Sequence, residues 1–188
     1  MGILRKVLIG LGIVILCFGV YVVYLALTTR SHSPGEVAHY QKGDVDISVK
    51  YSRPFKKDRL IFGSVQQGAL VPYGTKWRTG ANEATEIKLT EAIKIQDREL
   101  KPGSYSIYTI PQEDHWVVAF NEKIGYWGAG FMKDPFDEQF DVLRARAEVI
   151  QLSEPVEQFG ISLQQRSDST VALSFAWDRV QASLDLSY

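Results

Sequence analysis

Apolar and polar residues alternate along most of the chain from residue 44 onwards. In the stretch "DVDISVKYS", Val45, Ile47, Val49 and Tyr51 fall on one side of an extended backbone, and polar residues fall on the other. This alternation is typical of a strand that buries one face. Comparable alternating or apolar stretches occupy residues 86–89, 92–96, 104–110, 115–123, 140–149, 156–164, 170–177 and 180–186. The chain is therefore predicted to form about nine short strands.

The spacing of these strands predicts an all-β fold. Turn residues recur roughly every 8–12 positions with no amphipathic helical pattern among them, which favours an antiparallel β-sandwich (jelly-roll-like) or a barrel. Trp116 and Trp177 lie within predicted strands and are assigned to the core. The pattern breaks in residues 53–82, where six residues interrupt the apolar runs: Pro54, Gly63, Gly68, Pro72, Gly74 and Gly80. Long irregular connections in compact domains are often functional, so a site is expected near this one.

A different pattern marks the N-terminus. Residues 7–27, "VLIGLGIVILCFGVYVVYLAL", contain no charged residue, and a helix needs about 20 apolar residues to cross the bilayer core. Arg5 and Lys6 precede this segment, whereas only Arg30 follows it closely. This distribution of positive charge predicts a cytoplasmic N-terminus and an extracytoplasmic C-terminal part.

The apolar segment is interpreted as an uncleaved anchor. The apolar region of a cleaved signal peptide is shorter, roughly 7–15 residues, and only a weak small-residue cleavage site lies near Ala26. Cleavage at that site is the alternative. Cys17, the single cysteine, is interpreted as an apolar membrane residue. The predicted organisation is a cytoplasmic N-terminus (1–6), a transmembrane helix (7–27), a polar linker (28–43) and a β-sandwich domain (44–188).

Composition argues against several function classes. The formal net charge is -1 and no basic, aromatic-rich patch occurs, which argues against nucleic-acid binding. His115 is the single histidine of the predicted β-domain, which has no cysteine, so the usual zinc sets and a serine–histidine triad are not expected. The acids in residues 134–141 lack the spacing of a calcium loop and are interpreted as a solvated turn. No catalytic residue, metal or cofactor is predicted.

The stretch "WRTGANEAT" (77–85) carries the strongest candidate site. Trp77 offers an aromatic face for a sugar ring or an apolar group, and Arg78 offers a planar fork for a carboxylate or phosphate. Asn82 both donates and accepts hydrogen bonds, and it tolerates a left-handed turn. The predicted ligand is a carbohydrate or an anionic molecule. The predicted ligand site comprises Trp77, Arg78, Asn82, Glu83, Trp127 and Arg53.

A structural role for the same residues is the competing interpretation. Trp77 would then close one end of the sandwich. Arg78 would pair with Glu83 or another acid and hold the long connection down. Asn82 would cap a turn through its own backbone, and Arg53 would be a solvated edge residue.

Several motifs occur in an order that resembles one bacterial family. They are "YSRPFKKDRLIFG" (51–63), "LVPYGTKWRTGANEAT" (70–85), "LKPGSYSIYTIP" (100–111), "WVVAFNEK" (116–123), "YWGAG" (126–130) and "FDVLRARAEV" (140–149). The family is domain of unknown function 2911, and the resemblance covers residues 45–188. The link "SVQQGA" is longer here than in the family. The resemblance implies a secreted or surface-directed bacterial protein and supplies no activity.

These observations lead to one favoured function and two alternatives. The chain is predicted to sit in the bacterial inner membrane through one N-terminal helix, with its β-domain in the periplasm or outside the cell. A module that binds a small polar ligand is the favoured function. A cell-envelope hydrolase that uses Glu83 with an unidentified second group is one alternative, and a structural component of an envelope assembly is the other.

Overall fold

The structure is a computed structural model and describes residues 2–126 and 136–188. Within these residues, one helix, α1 (Ile3–His32), precedes eleven strands. The strands are β1 (Gly35–Lys42), β2 (Val45–Ser52), β3 (Phe62–Gly63), β4 (Val71–Pro72), β5 (Thr85–Leu89), β6 (Ile93–Ile95), β7 (Arg98–Leu100), β8 (Gly103–Pro111), β9 (His115–Asn121), β10 (Asp141–Ser167) and β11 (Thr170–Ser187). Short 3-10 helices occupy Val65–Gln67 and Glu138–Phe140.

Nine of these strands form one antiparallel sheet. Their order is β1–β2–β5–β8–β9–β10–β11–β6–β7, and β3 and β4 form a separate parallel pair. The predicted all-β, antiparallel fold with one N-terminal helix is therefore confirmed. The division of the strands into the two packed layers of a sandwich stays a prediction.

The two C-terminal strands are much longer than the sequence predicts. The predicted strands 140–149 and 156–164 both belong to β10, and 170–177 and 180–186 both belong to β11. The pairing of β10 with β11 contains register shifts, and Asp178 of β11 has a left-handed backbone with φ 53°. Such bulges interrupt the side-chain alternation without ending the strand. Each long strand therefore resembles two short strands in the sequence.

Two hydrophobic clusters lie on opposite faces of β8 and β9, because side chains alternate between the faces of a strand. The main core contains the largest fully buried aromatic side chains of that face, among them Trp116, Phe120, Phe159, Phe175 and Trp177. The assignment of Trp116 and Trp177 to the core is therefore confirmed. The second cluster consists of Ala84, Tyr108, Ala119, Tyr126 and Phe136. Coverage of both faces explains the nearly continuous apolar sequence of β9.

Residues 28–43, predicted as a polar linker, lie instead mostly in regular elements. Helix α1 continues to His32, and β1 pairs with β2 along its whole length. One face of β1 is only half-buried, with Ala38 and Tyr40 against the main core, so the apolar alternation of this edge strand is weak. For that reason, the sequence of β1 shows the same mostly polar pattern as a linker.

Helix α1 packs no apolar face against the β-domain. The most apolar stretch of the helix is wholly unburied. By length and composition the helix can cross a bilayer, although a signal sequence meets the same criterion. The chain that leaves α1 is tied to the β-domain by hydrogen bonds. Asn82 Nδ2 donates to Ser33 O at 3.1 Å, and Arg53 N donates to Pro34 O at 2.9 Å. The end of the helix is thus held directly against the irregular connection.

Candidate functional site

The irregular connection between β2 and β5 is held at its C-terminal end by the sheet. Trp77 forms an antiparallel bridge with Thr109 of β8, through two backbone hydrogen bonds of 2.7 and 2.8 Å. Thr85 Oγ1 donates to Thr79 O at 2.7 Å and closes the loop that follows. The candidate stretch 77–85 therefore has a fixed shape.

Three residues of this loop, Thr79, Gly80 and Asn82, adopt positive-φ backbone conformations that restrict which side chains fit. Gly80 has φ 152°, and a Cβ at this position would lie 2.9 Å from Ser52 O. Asn82 has φ 57°, which is the left-handed conformation expected for it. The resulting turn brings the Asn82 carbonyl to Arg78, whose Nη1 donates to Asn82 O at 3.0 Å.

Trp77 belongs to an aromatic cluster. Its indole stacks on Trp177 with ring centroids 5.8 Å apart and an interplanar angle of 19°. It meets Phe159 and Trp116 edge-on, at centroid distances of 5.1 and 5.9 Å. Its Nε1 donates to Gly80 O at 3.1 Å. One face of the ring and several of its edges are thus occupied by packing.

A cleft of about 460 Å³ lies between the end of α1 and the irregular connection. We call it the junction cleft. The end of α1 contributes His32 and Ser33, the turn after β2 contributes Lys57 and Arg59, and the stretch 77–85 contributes Arg78. Among the described residues, no aspartate or glutamate lines this cleft. The junction cleft therefore carries positive charge without a neutralising acid.

Arg78 is the half-buried cation of the junction cleft. Burial lowers the pKa of its guanidinium from the ordinary value, because desolvation disfavours the charged form. In the described part of the chain, no carboxylate forms an ion pair with Arg78. A guanidinium carries five N–H donors, and Asn82 O accepts from one of its nitrogens. The arrangement suits the binding of an anion.

Lys57 and Arg59 lie on the exposed rim of the same cleft. The turn that carries them is held in place, since Lys57 N donates to Glu157 Oε1 at 3.0 Å and Arg59 Nε donates to Lys56 O at 2.9 Å. Both positive charges are thereby kept at the cleft that Arg78 lines.

Three of the basic groups that line the cleft, His32, Lys57 and Arg59, were not predicted as site residues. The run "KKDR" (56–59) shows the charge of two of them, but charged runs are ordinary on exposed turns. His32 Nδ1 lies 2.8 Å from Thr28 O, within α1. These residues come from separate parts of the chain, so a local pattern does not reveal that they share a cleft.

Glu83, by contrast, lines a different cleft of about 220 Å³. Its carboxylate pairs with Arg30 at 3.1 Å and accepts a hydrogen bond of 3.5 Å from Ser52 Oγ. Glu83 does not form the ion pair with Arg78 that the structural interpretation of the sequence proposed. Among the described residues, no second carboxylate lines this smaller cleft.

Arg53 and Asn82, two further predicted site residues, are used in structural contacts. Arg53 Nε donates to Phe159 O at 3.0 Å, and its guanidinium forms an ion pair with Glu36. Arg53 does not line the junction cleft. The side-chain amide of Asn82 is used in the contact with the end of α1. Trp127 lies outside the described residues.

Other polar networks lie away from the junction cleft. His115 Nδ1 lies 2.7 Å from Asp114 Oδ1. Tyr108 OH and Arg144 Nε each donate to Asp141 Oδ2 at 2.6 Å. Asp141, predicted as part of a solvated turn, is instead buried by these partners, with a side chain that is 7% exposed. No group of three metal-ligating side chains occurs in the part of the chain that the structure describes.

Comparison with known proteins identifies a family without an assigned activity. No curated protein and no solved structure matches the chain significantly. The model of one family, described as a protein of unknown function (DUF2911), matches residues 33–186. The matched range begins directly after α1 and covers the whole sheet, β1 among its strands, except the last residue of β11. The chain therefore belongs to the DUF2911 family.

Proposed function

We propose that the chain is a membrane-anchored binding module that holds a phosphate- or carboxylate-bearing ligand in the junction cleft. The proposal depends above all on Arg78, a half-buried guanidinium with no carboxylate partner in the described part of the chain. Lys57 and Arg59 add exposed positive charge at the rim of the same cleft. An anion is the ligand that this set of groups complements.

Burial of the Arg78 charge costs hydration free energy. Buried charges are normally paired, because an unpaired one loses hydration worth several kcal/mol. The hydrogen bond from Arg78 to Asn82 O compensates part of that loss. An oxyanion would accept further hydrogen bonds, often in a bidentate arrangement. It would also oppose the lowering of the Arg78 pKa that burial causes.

The geometry favours an anion over a neutral carbohydrate. Proteins bind sugar rings by stacking them on an open aromatic face, whereas one face of Trp77, which also lines the cleft, stacks on Trp177 and its edges meet other aromatic rings. The cleft offers three cations instead. We therefore retain the anionic part of the predicted ligand class.

The hydrolase alternative gains no support from the placement of Glu83. A paired-carboxylate mechanism needs two acids at a set separation, with one of them held in an apolar niche. Glu83 is ion-paired with Arg30, and no other described lining residue of its cleft is an acid.

A structural component of an envelope assembly would present a flat apolar surface in place of a cleft. The presence of the junction cleft therefore favours the binding function over this alternative.

Phosphate binding is expected to depend on Arg78. We expect Arg78→Met to weaken the binding of inorganic phosphate and glycerol phosphate by at least about tenfold, because a hydrogen bond to a charged group contributes about 1.5–3 kcal/mol. Methionine keeps much of the apolar stem and removes the charge. Isothermal titration calorimetry of the full chain in a neutral detergent measures the effect.

Arg146→Met is the matched control for this titration. Arg146 is an exposed arginine outside the junction cleft, paired with Asp114 at 3.2 Å, so its replacement should leave phosphate affinity unchanged. Equal losses in the two variants would indicate unspecific attraction of phosphate to surface charge. Undiminished binding by Arg78→Met would refute the proposed site.

We also propose that α1 is an uncleaved anchor in the bacterial inner membrane and that the β-domain lies on the periplasmic side. The charge-free residues 7–27, with Arg5 and Lys6 before them, support this orientation. Protease added to spheroplasts is expected to degrade the β-domain. Protection of that domain, or a mature chain that begins near Thr28, would contradict the proposed topology.

A further inference from the structure

The junction cleft is built onto the end of α1. His32 and Ser33 line it, and the apolar segment ends at residue 27. At 1.5 Å per helical residue, His32 lies about 7–8 Å beyond that segment. The headgroup layer on each side of a bilayer is about 5–7 Å thick. When residues 7–27 fill the hydrocarbon core, the cleft opens at the outer limit of the headgroups.

Exposed leucines lie beside the cations of this cleft. Leu60 and Leu70 are 44% and 45% exposed, and Leu70 N donates to Leu60 O at 3.0 Å. Leu70 lines the junction cleft together with Arg59 and Arg78. Large apolar side chains next to basic ones are typical of surfaces that meet anionic lipids.

We propose that the junction cleft binds the phosphate headgroup of an anionic phospholipid from the bilayer that holds α1. This inference rests on the proposed anion-binding function of the cleft. Arg78 binds the phosphate group. Lys57 and Arg59 attract the net negative headgroup at the rim, and Leu70 contacts the apolar part of the lipid nearest the glycerol.

The close attachment of α1 to the β-domain favours a lipid over a dissolved anion as the ligand of the cleft. The hydrogen bonds from Asn82 to Ser33 and from Arg53 to Pro34 hold the cleft close to the helix end, and thus at one height above the bilayer. A ligand confined to the same bilayer reaches the cleft at a high effective concentration. At that effective concentration, binding by one half-buried arginine is sufficient to keep the cleft occupied by a lipid headgroup.

Lipid retention by the full chain tests this inference. The wild type, Arg78→Gln and Arg30→Gln are incorporated into nanodiscs of equal parts phosphatidylglycerol and phosphatidylcholine, released in neutral detergent and weighed by native mass spectrometry. We expect the wild type to retain phosphatidylglycerol over phosphatidylcholine, and Arg78→Gln to retain at least about tenfold less of it. Arg30 is 72% exposed at the same helix end but does not line the cleft, so Arg30→Gln should behave as the wild type.

The possible outcomes separate this inference from the proposed function. Equal retention by the wild type and Arg78→Gln, or an equal loss in Arg30→Gln, overturns the lipid assignment. If inorganic phosphate still binds through Arg78, the cleft takes a dissolved anion and only the lipid assignment fails. If the binding of neither inorganic phosphate nor phosphatidylglycerol depends on Arg78, both proposals fail.

Lys57→Gln, at the exposed rim, provides the test if Arg78→Gln does not fold. This variant should lower phosphatidylglycerol retention by a smaller factor.

Discussion

Replacement of Trp77 by alanine is expected to lower the free energy of unfolding of the β-domain by about 3–5 kcal/mol. The indole stacks on Trp177 and meets Phe159 edge-on, and its Nε1 donates to Gly80 O. Alanine removes these aromatic contacts and leaves a cavity beside the main core. Urea unfolding of the full chain in neutral detergent, followed by near-ultraviolet circular dichroism, measures the loss.

Trp77→Phe is the control for this substitution. Phenylalanine keeps an aromatic ring in the cluster and removes the hydrogen bond to Gly80 O, so we expect a smaller loss of about 1–2 kcal/mol. An open stacking platform for a sugar would give the opposite result. Alanine would then change stability by less than about 1 kcal/mol while abolishing carbohydrate binding.

Asn82→Ala is expected to destabilise the β-domain by about 2–4 kcal/mol. Two effects add. The hydrogen bond from Asn82 Nδ2 to Ser33 O is lost, which leaves that carbonyl without this partner. Alanine must also adopt the left-handed backbone that asparagine holds at φ 57°, a conformation that costs a residue with a Cβ of order 1 kcal/mol or more. The urea unfolding experiment described for Trp77→Ala measures the combined loss of stability from the two effects.

Asn82→Gly separates the two effects, because glycine adopts φ 57° without strain and still lacks the side-chain amide. We expect a loss of about 1–2 kcal/mol for glycine, clearly below that for alanine. Equal losses in the two variants would show that backbone strain contributes nothing. If neither variant unfolds more easily than the wild type, Asn82 does not anchor the end of α1.

Much of the fold could be predicted because it depends on local patterns. The alternation in residues 44–52 reports a strand with one buried face, and β2 has such a face. Trp116 and Trp177 lie in apolar strands and are fully buried. Asn82 follows a glycine and an alanine, and its intrinsic tolerance of left-handed turns is realised in the structure. Each of these inferences needs only neighbouring residues.

The parts that escaped prediction depend on contacts between distant residues. Strand β1 has the sequence of a linker because its inward face is only half-buried. The partner of Glu83 is Arg30, which lies 53 positions earlier in the chain, and not the nearby Arg78. The junction cleft combines the end of α1 with three segments of the irregular connection and with Trp177 of β11. Such combinations follow from tertiary packing and leave no periodic signal in the sequence.

Arg78 differs from Trp77 and Asn82 in what its removal should do to the ligand-free protein. The hydrogen bond to Asn82 O is lost, but a half-buried charge without a carboxylate partner is also removed. These two contributions oppose each other, so we expect Arg78→Met to change the free energy of unfolding by less than about 1 kcal/mol. A binding residue and a scaffold residue are thereby distinguished within one short stretch.

The proposed contact between phosphate and the Arg78 guanidinium is tested most directly by nuclear magnetic resonance of the arginine Nε–Hε groups. The full chain, labelled with ¹⁵N at arginine, is titrated with inorganic phosphate in neutral detergent, and the resonance that is absent from Arg78→Met identifies Arg78. We predict that this resonance shifts in a saturable manner, whereas that of Arg146 stays in place. A saturable shift at other arginines with Arg78 unmoved, or no saturable shift at all, would contradict the assignment of the junction cleft as an anion-binding site.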